Sequence, residues 1–214
     1  MGEFLEILSP VRDVRCNPGE NTMRYTGINH LAMATRDMDA TIRFWRDLLR
    51  MRLVAGLGRP GYRHYFLEIS ETDLIAFFEW PKVEPIPEKD HGVPVAGPYA
   101  FDHVSIGVRG RDDLWEIKDL LEAAGFWASE IIDHGFIFSL YSFDPNHIGI
   151  EFSCPVPGVD IRSHPVMADR HPSSITLEGA EPQPGKWPAP TPTPVAERRI
   201  YPGEGRELVL VEDE

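Results

Sequence analysis

One short pattern occurs twice in this chain, and it restricts the fold more than any other feature. "GINHLAMAT" (27–35) and "FDHVSIGVR" (101–109) are alternating strands, each with a central histidine. Each runs into an amphipathic segment. In the first, Ile42, Trp45, Leu48 and Leu49 recur at helical spacing, with Asp37 and Asp39 at the positive end of the helix. In the second, Leu114, Ile117, Leu121 and Ala124 form the stripe, Asp112 is placed to cap the start, and Gly125 stands where a helix stops. Strand material follows both helices and closes on a carboxylate, in "DLIAFFEWP" (73–81) and "HIGIEFSCP" (147–155). The two histidines are 73 positions apart and the two glutamates 72, so each half reads β-α-β-β-β. Neither unit is large enough to bury its own sheet, and the two are expected to pair around a common cleft.

The ends of the chain differ from this repeat. Residues 1–24 read as an N-terminal arm, 25–98 as the first module, 99–157 as the second and 158–214 as a proline-rich tail. "GAEPQPGKWPAPTPTPVAERRIYPGEG" lacks the backbone donors that a helix or central strand needs, so extended wrapping is expected, with Trp187 and Tyr201 as anchors on a surface. The net charge of −13 and the lack of a basic stripe exclude nucleic acid as a partner. No apolar run approaches the roughly 18–20 residues needed to span a bilayer. The start carries acidic residues and no uninterrupted apolar stretch, unlike a secretory signal. Two cysteines without CxxC spacing fit a reduced compartment, and the expected location is cytoplasmic.

Side chains alternate across a strand. Val104, Ile106 and Val108 share the face that should pack on a helix, which leaves His103 opposite with Ser105 and Gly107. Ile148, Ile150 and Phe152 likewise leave His147, Gly149 and Glu151 on the other face, and Leu31 and Met33 oppose His30. Two imidazoles and one carboxylate with open positions suit a non-haem Fe(II) centre. Adding Glu79 gives a two-His, two-Glu set with fewer vacancies, which favours Lewis-acid chemistry. The hairpin "IIDHGFIFSLYSFDPNHIGIEF" (131–152) adds His134 and Tyr141, and Tyr141 shares its strand face with Ser139 and Phe143.

These residues carry a resemblance. The two β-α-β-β-β units, roughly residues 25–157, resemble the vicinal oxygen chelate superfamily of glyoxalase I, fosfomycin and bleomycin resistance proteins and extradiol dioxygenases. The resemblance implies an α+β fold in which paired βαβββ modules form a U-shaped mixed sheet around a metal-binding cleft. Carried over by motif, His30, His103 and Glu151 are the metal ligands and Glu79 occupies the fourth ligand position of glyoxalase I.

The last module is similar to "DHG…Y.F.DP…..E" of extradiol dioxygenases. That similarity makes His134 an acid/base candidate, Tyr141 a hydrogen-bond donor to a catecholate and His64 a further histidine beside the metal. The chemistry suits such groups, because a catechol must lose protons to chelate and an imidazole can take and return them. One departure is that His147 replaces the glycine expected after "DPN". The resemblance thus implies an Fe(II)- or Mn(II)-dependent ring-cleaving dioxygenase acting on a small aromatic, and the aromatic anchors of the proline-rich tail lead to the expectation that it reaches across a homodimer. A glyoxalase-like lyase or isomerase, or an epimerase, with Ni(II) or Zn(II) between Glu79 and Glu151 is the competing reading. A non-catalytic module holding an aromatic ligand among Phe77, Trp80 and Trp127 is the third. His91, His164 and His171 lie in Pro- and Gly-rich loops and are expected to face solvent.

Overall fold

The computed structural model describes residues 26–96, 101–166, 168, 170–183 and 185–209. Strand β1 (His30–Thr35) leads into a short helix α1 (Met38–Ile42) and a wide π-helical turn (Arg43–Leu48). Strands β2 (Arg52–Arg59), β3 (Tyr62–Glu68) and β4 (Leu74–Glu79) complete the first module. The second repeats the order with β5 (Val104–Gly107), α2 (Arg111–Ala123), β6 (Ile132–Asp133), β7 (Ile137–Phe143) and β8 (Gly149–Pro155). The sheets run β1-β4-β3-β2 and β5-β8-β7-β6, each with its first and last strands parallel and the rest antiparallel. The expected pair of βαβββ modules is therefore what forms. Among the described residues, hydrogen bonding between strands stays within each module.

Packing departs from the expected stripe in α1. Asp37 caps the helix by accepting from Ala40 N at 3.0 Å. Beyond Ile42 the backbone widens, and Leu49 N–H reaches Phe44 O at 3.0 Å, an i→i+5 bond. This widening turns the adjacent Phe44 and Trp45 inward together, leaving Ile42, Leu48 and Leu49 half-buried. Phe44 then meets Phe126 edge to face at 4.7 Å, and Trp45 Nε1 donates to Asp144 Oδ2 of the second module at 3.4 Å. Asp112 does not cap α2. Gly110 occupies that place without a side-chain bond, and Asp113 accepts from Arg109 N instead. Gly125 does end the helix, at φ +81°.

The helix-side faces of both sheets join one apolar core through Met38, Leu67, Ile75, Phe77, Leu114, Leu140, Ile150 and Phe152. Polar contacts fix the joint, since Thr35 Oγ1 donates to Asn146 Oδ1 at 2.7 Å across it. Phe77 is wholly within this core, so it cannot line an aromatic cleft with Trp80 and Trp127, both of which are about half exposed. Past Pro155 the described residues form three short 3-10 turns, with Trp187 and Tyr201 exposed in the single chain. The expected N-terminal arm lies outside the described residues. Among those described, no helix is long and apolar enough to cross a membrane.

Candidate functional site

The face of the second sheet away from its helix carries a connected set of polar groups. Register places Ser105 of β5 beside Glu151 of β8, and Tyr141 of β7 beside Glu151 on its other flank. His103 precedes β5 by one residue. Its Nε2 stands 3.1 Å from Glu151 Oε2 and its Nδ1 2.6 Å from Asp102 Oδ1. Behind it, Gly149 is required by a close approach. A Cβ there would meet the Asp102 carbonyl oxygen at 2.8 Å and His103 Cβ at 3.4 Å.

Glu151 is 4 % exposed, and its charge is held by donors. Ser139 Oγ donates to Oε1, and Tyr141 OH donates to the same oxygen at 3.1 Å. Burial pushes the Glu151 carboxyl up, but the bonds from serine and tyrosine hydroxyls and the neighbouring His103 imidazole outweigh it, and the group lies below the ordinary carboxylate range. Tyr141 shifts the other way, because burial and the neighbouring Glu151 charge both disfavour phenolate. With the phenol hydrogen given to Glu151, His134 Nε2–H is the donor to Tyr141 OH at 3.1 Å. Lys89 and His103 together hold the Asp102 carboxyl far below its usual value.

The structure thus brings together His103, Glu151, Tyr141 and His134. The remaining candidates lie elsewhere. His30 is exposed on β1, with Nδ1 2.9 Å from Asn29 Oδ1 and its ring 5.6 Å from Phe66. His64 of β3 is buried and stacked on Phe78 at 3.6 Å, so it belongs to the first sheet's aromatic face. Among the described residues, no group of three or more His, Cys, Asp or Glu side chains is placed to hold a metal ion. The 3.1 Å between His103 Nε2 and Glu151 Oε2 is a spacing that neighbouring ligands of one divalent ion could have.

Glu79 is on the helix side of its sheet. Both its oxygens bind Arg63, at 2.5 Å each, and Oε1 accepts from Met38 N at 2.9 Å, so it serves the start of α1. The reason is register. Leu31 pairs with Ile75 as Val104 pairs with Ile150, which makes Ala76 the counterpart of Glu151. Glu79 is three residues further on, and an odd offset along a strand reverses the face.

One neighbour was not expected. His91, in the loop between modules, lies flat on Tyr141 with ring centroids 3.4 Å apart and planes 2° from parallel. It is half-buried, contrary to the solvent-facing position expected of it. No sequence signal marks it, because its place depends on how the loop folds back.

A family model described as the glyoxalase/bleomycin resistance protein/dioxygenase superfamily matches residues 27–152. Among curated proteins, a lactoylglutathione lyase of Haemophilus influenzae is 28 % identical over 100 residues, which is 46 % of this chain and 67 % of that one. Among solved structures, a glyoxylase/bleomycin resistance protein/dioxygenase domain from Frankia sp. EAN1pec has a TM-score of 0.53 at 19 % identity, covering 62 % of this chain and 100 % of the other. That last likeness is one of fold.

Proposed function

The chain belongs to the glyoxalase/bleomycin resistance protein/dioxygenase superfamily, and from that premise we propose that it is a divalent-metal enzyme of the extradiol type, acting on a small aromatic with vicinal hydroxyls. The observation that carries this reading is the His103–Glu151 pair, backed by Asp102 on the imidazole and by Tyr141, itself bonded to His134, on the carboxylate. A divalent ion held there, Fe(II) or Mn(II), would supply a Lewis-acid centre with open positions for two adjacent oxygens and O₂. The third donor in this proposal is His30 of a second copy of the chain, since His30 is exposed and, among the described residues, no third donor accompanies the pair within one chain. A homodimer follows from it.

The chain's own residues have separable tasks. Asp102 accepts from Nδ1–H of His103, which fixes the ring and leaves Nε2 directed at the ion's position. Ser139 and Tyr141 keep Glu151 charged. In this reading the Tyr141 oxygen also meets a substrate hydroxyl, and His134 Nε2 exchanges a proton through it. The donor set of two histidines and one carboxylate is supported by Ala76, which occupies the counterpart position of Glu151 and cannot coordinate, while Glu79 is engaged by Arg63.

A lyase or isomerase reading is favoured by one finding, the 28 % identity to a lactoylglutathione lyase. One experiment separates the two. Anaerobically purified protein is assayed for metal content, then offered a panel of catechols, read by ring-cleavage absorbance, and the hemithioacetal of glutathione and methylglyoxal. Iron or manganese with catechol cleavage supports the proposal. Nickel or zinc with turnover of the hemithioacetal replaces it with the lyase reading.

A further inference from the structure

The loop joining the modules has no regular secondary structure among its described residues, yet it is fastened to the second module. Ile86 N donates to Asn146 O at 3.3 Å, and His147 Nδ1–H donates to Ile86 O at 3.2 Å. The other nitrogen of His147 stands 3.6 Å from Glu88. Further on, Lys89 Nζ donates to Asp102 Oδ2 at 2.6 Å and to the carbonyls of Asp90 and Val93. Gly92 N–H donates to the same Asp102 carboxylate at 3.2 Å. Between these fastenings lies His91, flat on Tyr141 and 6.3 Å edge-on from His103. The cavity left beneath it, between Lys89, His103, Trp127 and Tyr141, is about 10 Å³, too small for a ligand.

His147 adds an independent indication. Its φ is +62°, a left-handed conformation that glycine adopts freely and that is uncommon for other residues. A histidine occupies the turn in that conformation, and its ring is spent on the joining loop.

We propose that Glu88–Val93 is a latched cover, with His91 closing the Tyr141–Glu151 pair, and that Lys89 is a positioning residue for His103. The link is Asp102, which accepts from the latch through Oδ2 and holds His103 Nδ1 through Oδ1. A planar ligand reaches Tyr141 only by taking the place of the His91 ring, and that movement draws Lys89 and Gly92 from the carboxylate that orients His103. Closure and the aim of His103 are therefore coupled. The cover stands on geometry alone, whereas the positioning role rests on the reading of His103 and Glu151 as metal ligands.

The test uses the full-length protein and three variants, Lys89→Met, His91→Ala and His147→Gly. Nitration of Tyr141 by tetranitromethane, mapped by peptide mass spectrometry against Tyr65 as internal reference, reads the cover without any ligand. All three variants are expected to nitrate Tyr141 at least fivefold faster than the unaltered protein, and equal rates overturn the cover. Titration with Mn(II) alone reads the positioning. Lys89→Met is expected to bind about tenfold more weakly, while His147→Gly, which touches neither Asp102 nor His103, stays within about twofold. Faster nitration with unchanged Mn(II) affinity in Lys89→Met overturns the role of Lys89 and leaves the cover. If the unaltered protein binds no Mn(II), the metal reading fails and the role of Lys89 with it, and nitration still decides the cover.

Discussion

Gly149→Ala puts one methyl group where the site has no space for it. The added Cβ would lie 2.8 Å from the Asp102 carbonyl oxygen, a distance real Cβ atoms essentially never show, and 3.4 Å from His103 Cβ. The obstructing atom is backbone, so no side-chain rotation relieves the overlap. The strand start at Asp102–His103 has to move by a few tenths of an ångström, and His103 moves with it. Overpacking of this kind costs about 1–3 kcal/mol. For a chain of this size each kcal/mol is worth roughly 2–4 °C in Tm. Gly107→Ala is the matched control, because that glycine is also in the second sheet, its φ is not positive, and nothing lies within 4 Å of its added Cβ. It should be neutral or raise stability by about 0.5–1 kcal/mol. Thermal unfolding should therefore separate the two variants by about 1–4 kcal/mol. Mn(II) titration should show roughly tenfold weaker binding in Gly149→Ala alone. Identical melting and identical affinity in the two variants would refute the idea that the β5–β8 approach sets the position of His103.

Three further outcomes are expected. Glu79→Gln should lose about 1–2 kcal/mol at neutral pH, through the Arg63 pair and the Met38 cap, with Mn(II) affinity unchanged. Because Arg63 holds the Glu79 carboxyl below its ordinary 4.5, the stabilisation is complete above that pH and fades as pH falls through and below it. Denaturant melts from pH 7 to 3 should then show the variant converging on the unaltered protein in acid. Asp144→Ala should cost about 3 kcal/mol by urea unfolding, since this buried carboxylate accepts from Asn146 N, Ile148 N and Trp45 Nε1. His134→Ala should leave the melting temperature nearly unchanged, the residue being exposed, yet lower catechol turnover at least a hundredfold. Full turnover in that variant would remove His134 from the mechanism.

How far the site could be read in advance differs from residue to residue. His103, Tyr141 and Glu151 fall on one face because alternation is a local property of a strand, and three local patterns were enough to find them. Glu79 is misplaced by a different inference, from spacing between the repeats. Equivalence was inferred from distance along the chain, and the two repeats are not in step by the end of their last strands. The helix in the first module was legible, but not its π-helical widening, which answers the need to bury Phe44 and Trp45 side by side.

Alternating polarity, two helical stripes and their repetition are written in neighbouring residues, so the two βαβββ modules and the polar face of the second sheet belong to the sequence alone. The position of His91 over Tyr141, the shared use of Asp102 by Lys89 and His103, and the burial of Asp144 against Trp45 arise only when the modules dock. Those contacts join residues up to 99 positions apart. Periodicity governs neighbours within a few residues, whereas packing free energy depends on which distant surfaces exclude water together, and that is settled in three dimensions.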